Sequence, residues 1–190
     1  TRHRAAGSTD YLFAINDRRE AGSYVGGYGR VMEDGLPSDT VLRLSREDGG
    51  HVYDLLAHRK LAATAEKDGQ LAIPLSLGPC DGRLLMVTSK PVEAFSITAP
   101  ETAALGQSIE IAVTVADADG KPVDAVVPVE LRIVDPEGAP AEVNGHYGAA
   151  SGVLHVKLDL APNDRPGLWE IHAVEGATGR ESRAYLRIKP

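Results

Sequence analysis

The sequence predicts an all-β protein of two consecutive antiparallel β-sandwich domains, residues 1–93 and 94–190. Three observations predict it. Apolar and polar residues alternate at period two through successive short runs, the pattern of half-buried strands. The runs are closed by turn-forming residues, and the 190 residues include 20 Gly and 12 Pro. Between the runs no apolar pattern of helical period stands clear. The domain boundary is placed at 90–93, where Pro91 lacks an amide donor and interrupts a strand ladder.

In the first half, 11–15 reads as the opening strand and 22–29, G-S-Y-V-G-G-Y-G, as a flexible Gly-rich loop. Val41, Arg43 and Ser45 alternate against Leu42 and Leu44. Segments 51–56, 70–77 and 83–87 are further strands. Residues 55–66 have the composition of a short helix. Two strands joined by a polar turn at 58–60 are preferred, because Asp68-Gly69 then closes a hairpin into 70–77.

The second half alternates more regularly. Ile109, Ile111, Val113 and Val115 share one face of 108–115, and Val127, Val129, Leu131 and Ile133 one face of 127–134. Turns with Asp, Gly and Pro follow at 117–122 and 135–138. Leu154, Val156, Leu158 and Leu160 line the next strand. Trp169, Ile171 and Ala173 form the inward face of the one after it, and Ala184, Leu186 and Ile188 that of the last.

Composition excludes several classes of function. One cysteine rules out an intramolecular disulfide framework, and no apolar run approaches the ~18 residues of a membrane helix. The net charge is -7, with -1 in residues 1–93 and -6 in 94–190. That balance argues against general affinity for nucleic acid. The sequence begins at Thr1 without a signal-peptide pattern and ends at Pro190 directly after a strand, so a piece of a longer polypeptide is expected.

Two resemblances follow from particular residues. H-V-Y-D-L-L at 51–56, K-L at 60–61, D-G-Q-L-A-I-P-L at 68–75, D-G-R-L-L-M at 81–86 and Y-L-F-A-I-N-D at 11–17 together resemble one known module. It is the C-terminal all-β domain that follows the catalytic barrel in glycoside hydrolases of the β-galactosidase and α-amylase type. The 22–29 segment has no counterpart there. Pro100, G-Q-S at 106–108, D-G-K-P at 119–122 and P-G-L-W-E-I at 166–171 resemble an immunoglobulin-like module of the bacterial adhesive or macroglobulin-repeat kind. The resemblances imply a non-catalytic accessory or spacer region of a larger, secreted carbohydrate-active protein. The compartment would be extracellular or periplasmic and the partners the other domains of that polypeptide. The alternative is a stand-alone carbohydrate-binding or adhesive module with a glycan partner.

No catalytic, cofactor-binding or metal-binding residue is predicted. Asp17, Arg18, Arg19 and Glu20 read as a solvated turn with local ion pairs rather than an anion clamp. Segment 117–124 lacks the ligand spacing of a calcium loop. His3, His51, His58, His146, His155 and His172 contain no zinc-protease spacing, and His155 and His172 point away from the core. Cys80 lacks an evident base, His51 and His58 being the nearest candidates by type. Asp54 is the nearest candidate acid, and its counterpart in the resembled module is structural. The Gly-rich 22–29 segment has neither P-loop nor dinucleotide spacing. Its Tyr24 and Tyr28 are the predicted contact residues, since tyrosine joins an apolar face to a polar tip suited to a neighbouring domain or a sugar ring.

Overall fold

The computed structural model describes residues 1–47 and 49–190, and these form strands and connections with no helix among them. None of the described residues therefore lies in a helix long and apolar enough to cross a membrane. The chain divides into two compact units, one of residues 1–6 and 10–89, the other of residues 7–9 and 90–190.

The first unit contains β1 (Arg2–Ala6), β2 (Thr9–Ile15), β3 (Arg19–Gly26), β4 (Gly29–Gly35), β5 (Ser38–Ser45), β6 (His51–Asp54), β7 (Arg59–Leu61), β8 (Thr64–Ala65), β9 (Gln70–Leu77) and β10 (Gly82–Thr88). One sheet has the order β1-β2-β10-β6-β7 and a second the order β5-β9-β8. Period-two alternation sends Leu12 and Ala14 of β2 and Leu85 and Val87 of β10 to one face. They join Leu44, Leu71, Ile73, Leu75 and Leu77 of the second sheet in a single apolar cluster. Burial of each leucine, isoleucine and valine among them contributes about 1.5–3 kcal/mol, so the two sheets are held face to face by their inward rows.

The second unit contains β11 (Ala94–Thr98), β12 (Thr102–Ala104), β13 (Ser108–Ala116), β14 (Val127–Val134), β15 (Gly145–Ala149), β16 (Val153–Asp159), β17 (Gly167–Glu175) and β18 (Glu181–Lys189). Its sheets are β11-β13-β16 and β12-β18-β17-β14-β15. The opening strand is split between the sheets, and β12 runs parallel to β18. Crossings from β13 to β14, from β15 to β16 and from β16 to β17 make the immunoglobulin-like topology. The inward rows of β13, β14 and β16 are buried along their length, as alternation predicts. Trp169 is only 5% exposed, and its Nε1–H donates to the Arg165 carbonyl at 2.9 Å, so its one polar atom is satisfied.

Two turns of this unit share the pattern D-x-x-G-x-P, at 117–122 and 135–140. Asp117 Oδ1 accepts from the N–H groups of Asp119 and Lys121, and Asp135 Oδ1 from those of Glu137 and Ala139. The carboxylate thus replaces the ladder partners that the chain reversal removes. This explains the Asp-rich 117–124 segment as turn chemistry. Gly152 shows the tightest steric demand. Its φ is +74°, and a Cβ there would stand 2.6–2.7 Å from the backbone of Val115 and Val123.

Three sequence expectations are corrected here. Segment 22–29 is not an irregular loop: it forms the end of β3, the turn and the start of β4. The turn after β6 falls at 55–58, with His58 at φ 49°, rather than at 58–60. A strand, β1, precedes the expected first one, since Gly7 at φ 61° turns the chain back into β2.

Candidate interaction site

The β3–β4 ribbon forms a two-stranded sheet of its own. Asn16 holds its stem. The Asn16 side-chain amide donates to the carbonyls of Leu36 and Gly78, both at 2.7 Å, and its Oδ1 accepts from Arg18 N–H at 3.2 Å. Leu36 N–H donates to the Arg18 carbonyl at 2.9 Å and closes the base. Sequence reading did not single out Asn16; an Asn-Asp pair directly after a strand is the signal that marks it.

Above the stem the pairing is irregular. Ala21 faces Met32 and Val25 faces Arg30, so three residues of β3 oppose Val31 alone. Such bulges bend a ribbon and re-aim its side chains. The Glu33 side chain crosses directly over Gly22, where any Cβ would collide with it, and its carboxylate accepts from Tyr24 N–H at 3.3 Å. Gly29 sits at φ +117° after the two-residue connection 27–28. Glycine therefore meets particular steric demands at these points. The segment needs it for close crossing and reversal, not for looseness.

The irregular ribbon displays large apolar side chains. Tyr24 is 62% exposed and Tyr28 fully so, with Val25, Val31 and Met32 also exposed. Both predicted contact residues thus lie on one projecting element. The Arg19–Asp17 ion pair at 2.5 Å lies in solvent at its foot.

The other candidate groups are occupied by architecture. Asp54 is buried at 2% exposure; its Oδ1 accepts from Leu56 and Ala57 N–H, and Arg83 Nε lies 3.4 Å from Oδ2. Asp81 accepts from Gly78 N–H and from Arg83, and these contacts hold its carboxyl below the usual carboxylate range. The Asp159 carboxyl is likewise held low, first by Lys157 and then by Ser108. Cys80 is exposed at φ 54°. His51 pairs with Thr88 at the far end of β10, roughly 20 Å from Cys80 by strand rise, so these two do not form a nucleophile–base pair. His155 and His172 face outward and pair with Glu110 and Glu181. Among the described residues no group of three or more His, Cys, Asp or Glu is placed to hold a metal ion.

Glu175 is the buried acid that sequence reading missed. Its carboxylate accepts from the N–H groups of Ala177, Thr178 and Arg180 and from the Thr178 hydroxyl. It fills the β17–β18 turn. A groove of about 330 Å³ beside Trp169 contains Asp135, Asp164 and Arg165, and these side chains are engaged with its own loops.

No protein-family model matches the chain, and no curated protein sequence matches it. Among solved structures, a superoxide reductase (neelaredoxin) from Ignicoccus hospitalis is 18% identical, over 51% of this chain and 81% of that one, at TM-score 0.35. The CARDB domain of a Pyrococcus furiosus protein in complex with di-metal ions is 12% identical over 50% and 86%, at 0.34. The PKD domain of an M14-like peptidase from Thermoplasmatales archaeon SCGC AB-540-F20 is 13% identical over 53% and 100%, at 0.33. At these identities and TM-scores none of their activities or ligands transfers to this chain.

Proposed function

We propose that this chain is a non-catalytic accessory region of a larger, secreted carbohydrate-active protein and docks through the β3–β4 ribbon. One observation carries the docking element: Tyr24, Val25, Tyr28, Val31 and Met32 are all exposed on one projecting ribbon. Large apolar side chains left exposed on one element favour a contact role. The engagement of Asp54, Asp81 and Glu175 in turns supports the non-catalytic reading, since an acid–base pair needs carboxylates free to meet a substrate. The carbohydrate-active parent and its extracellular or periplasmic compartment rest on the sequence resemblance. The alternative, a stand-alone glycan-binding module, draws on the exposed ring of Tyr28, whose amphipathic face suits a sugar.

Hydrogen exchange of residues 19–35 tests this, measured in the isolated chain and in the full-length protein. The ribbon amides gain protection in the full-length protein if a neighbouring domain covers them. Equal exchange in both overturns the docking role. Protection that appears in the isolated chain only when an oligosaccharide is added selects the glycan reading. Turnover of aryl glycosides by the isolated chain would overturn the non-catalytic assignment.

A further inference from the structure

Among the described residues, the second sheet of the first unit ends in the longest edge strand that pairs without a bulge. β5 is eight residues long and keeps unbroken register with β9, from Ser38 opposite Leu77 to Ser45 opposite Gln70. In the order β5-β9-β8 its other side is the sheet edge. Proteins blunt such edges with shortness, lysine, proline or bulges. β7, β8 and β12 have three residues or fewer, β16 carries Lys157, and the ribbon is bulged. β1, β11 and β15 have five residues each, whereas β5 has eight with no lysine, proline or bulge, its charges being Asp39 and Arg43.

Its surroundings leave room for another strand. A cleft of about 340 Å³ along it is lined by Ala14, Asn16, Thr40, Leu42 and Leu77. Asp39, Val41 and Arg43 form an exposed row on the outer face, with Val41 at 43%. Leu42 lies half-buried on the inner face.

We propose that β5 pairs antiparallel with β5 of a second copy of this chain, about a two-fold axis at Val41. The charges on the strand select both occupant and register. In that register Asp39 of each copy stands opposite Arg43 of the other, so the pair forms twice, and Val41 meets Val41. Centring the axis on residue 39 or 43 would instead oppose two aspartates or two arginines, which is destabilising. Thr40 falls opposite Leu42 on the inner face and carries the sheet through as β8-β9-β5-β5-β9-β8. Such an interface is isologous, and it closes at two copies. Arg43 also holds Glu66, across β9, through Nε at 3.0 Å and Nη2 at 3.4 Å; it remains half exposed, and its other donors can serve a second carboxylate. This surface is separate from the ribbon and stands whether or not the ribbon docks.

The test is sedimentation velocity of the whole chain over about 5 to 500 μM, since one strand pair makes a small interface of the weak class. The wild-type chain is expected to show a concentration-dependent monomer–dimer equilibrium. Val41→Lys sets two ammonium groups together at the axis and should leave only monomer, with the melting temperature measured alongside to show that the fold persists. Asp39→Arg should weaken the dimer about ten-fold, and the swap Asp39→Arg with Arg43→Asp should recover most of that loss. A wild-type chain that stays monomeric throughout overturns the proposal. So does a dimer unaffected by Val41→Lys, or a swap that fails to recover association.

Discussion

Two hairpins of this molecule put the same motif to opposite uses. The β17–β18 hairpin turns inward: Glu175, fully buried, gathers the amides of its own turn, and the strands it joins pair without a shift from Gly167 to Val174. The β3–β4 hairpin turns outward: its register slips twice, and its carboxylate, on Glu33, crosses a glycine in solvent. The first satisfies its polar groups internally and hides its apolar row. The second exposes nearly every large apolar side chain it has. The difference separates a hairpin that stabilises a sandwich from one that makes contacts, and both begin from the same local signals of Gly and turn residues.

The comparison breaks first at the buried end. Trp169 lies on the inward face of β17, with its ring buried and its N–H bonded to Arg165. Truncation to Ala is expected to destabilise the second unit by about 3–5 kcal/mol, from lost burial and the cavity left behind. Urea unfolding followed by circular dichroism measures it. A loss below about 1 kcal/mol would mean that this sandwich is not held by its inward rows.

Glu175→Ala is the next largest effect. It leaves the amides of Ala177, Thr178 and Arg180 without their acceptor in a part-buried turn. The expected loss is about 3 kcal/mol, because amides bonded to a charged acceptor are costly to strand. In a domain of this size that lowers the melting temperature by roughly 12–24 °C. Glu175→Gln should lie between wild type and Ala, since one side-chain oxygen remains. If Gln and Ala melt alike, geometry rather than the carboxylate holds the turn.

The legibility of the sequence follows the same division. Strands β13, β14, β16 and β17 could be read because one face is buried and the other wet, which forces alternation into the residues themselves. β1, with R-H-R-A-A, is exposed along nearly its whole length, and β15, with G-H-Y-G-A, fully buries only Ala149, so neither carries a pattern. The ribbon reads as a loop for a different reason. Glycine ordinarily reports freedom, whereas Gly22 is there to let Glu33 cross. Tyr24 and Tyr28 stand out as contact residues because two amphipathic rings fall within one Gly-rich stretch. Glu175 and Asn16 did not, since a glutamate before glycine and an asparagine after a strand are common on exposed turns. Their roles arise from which amides and carbonyls converge on them, and that depends on tertiary structure.

The smallest effect on stability is expected where the contact surface is proposed. Neither Tyr24 nor Tyr28 buries its ring in the first unit's core, which is built from β2, β5, β6, β9 and β10. Replacing both with Ser should therefore move the melting temperature of the isolated chain very little, by an amount within about 0.5 kcal/mol. The same replacement should weaken association with the full-length protein's remaining domains, because exposed aromatics at a contact contribute only once a partner covers them. Two measurements on one double variant thus set fold against function: thermal melting reads the first and binding the second. If the variant melts far below wild type, the tyrosines belong to the interior after all and the contrast between the two hairpins collapses. If it melts normally and binds normally, the ribbon is a hairpin without a partner, and the docking role passes to another surface.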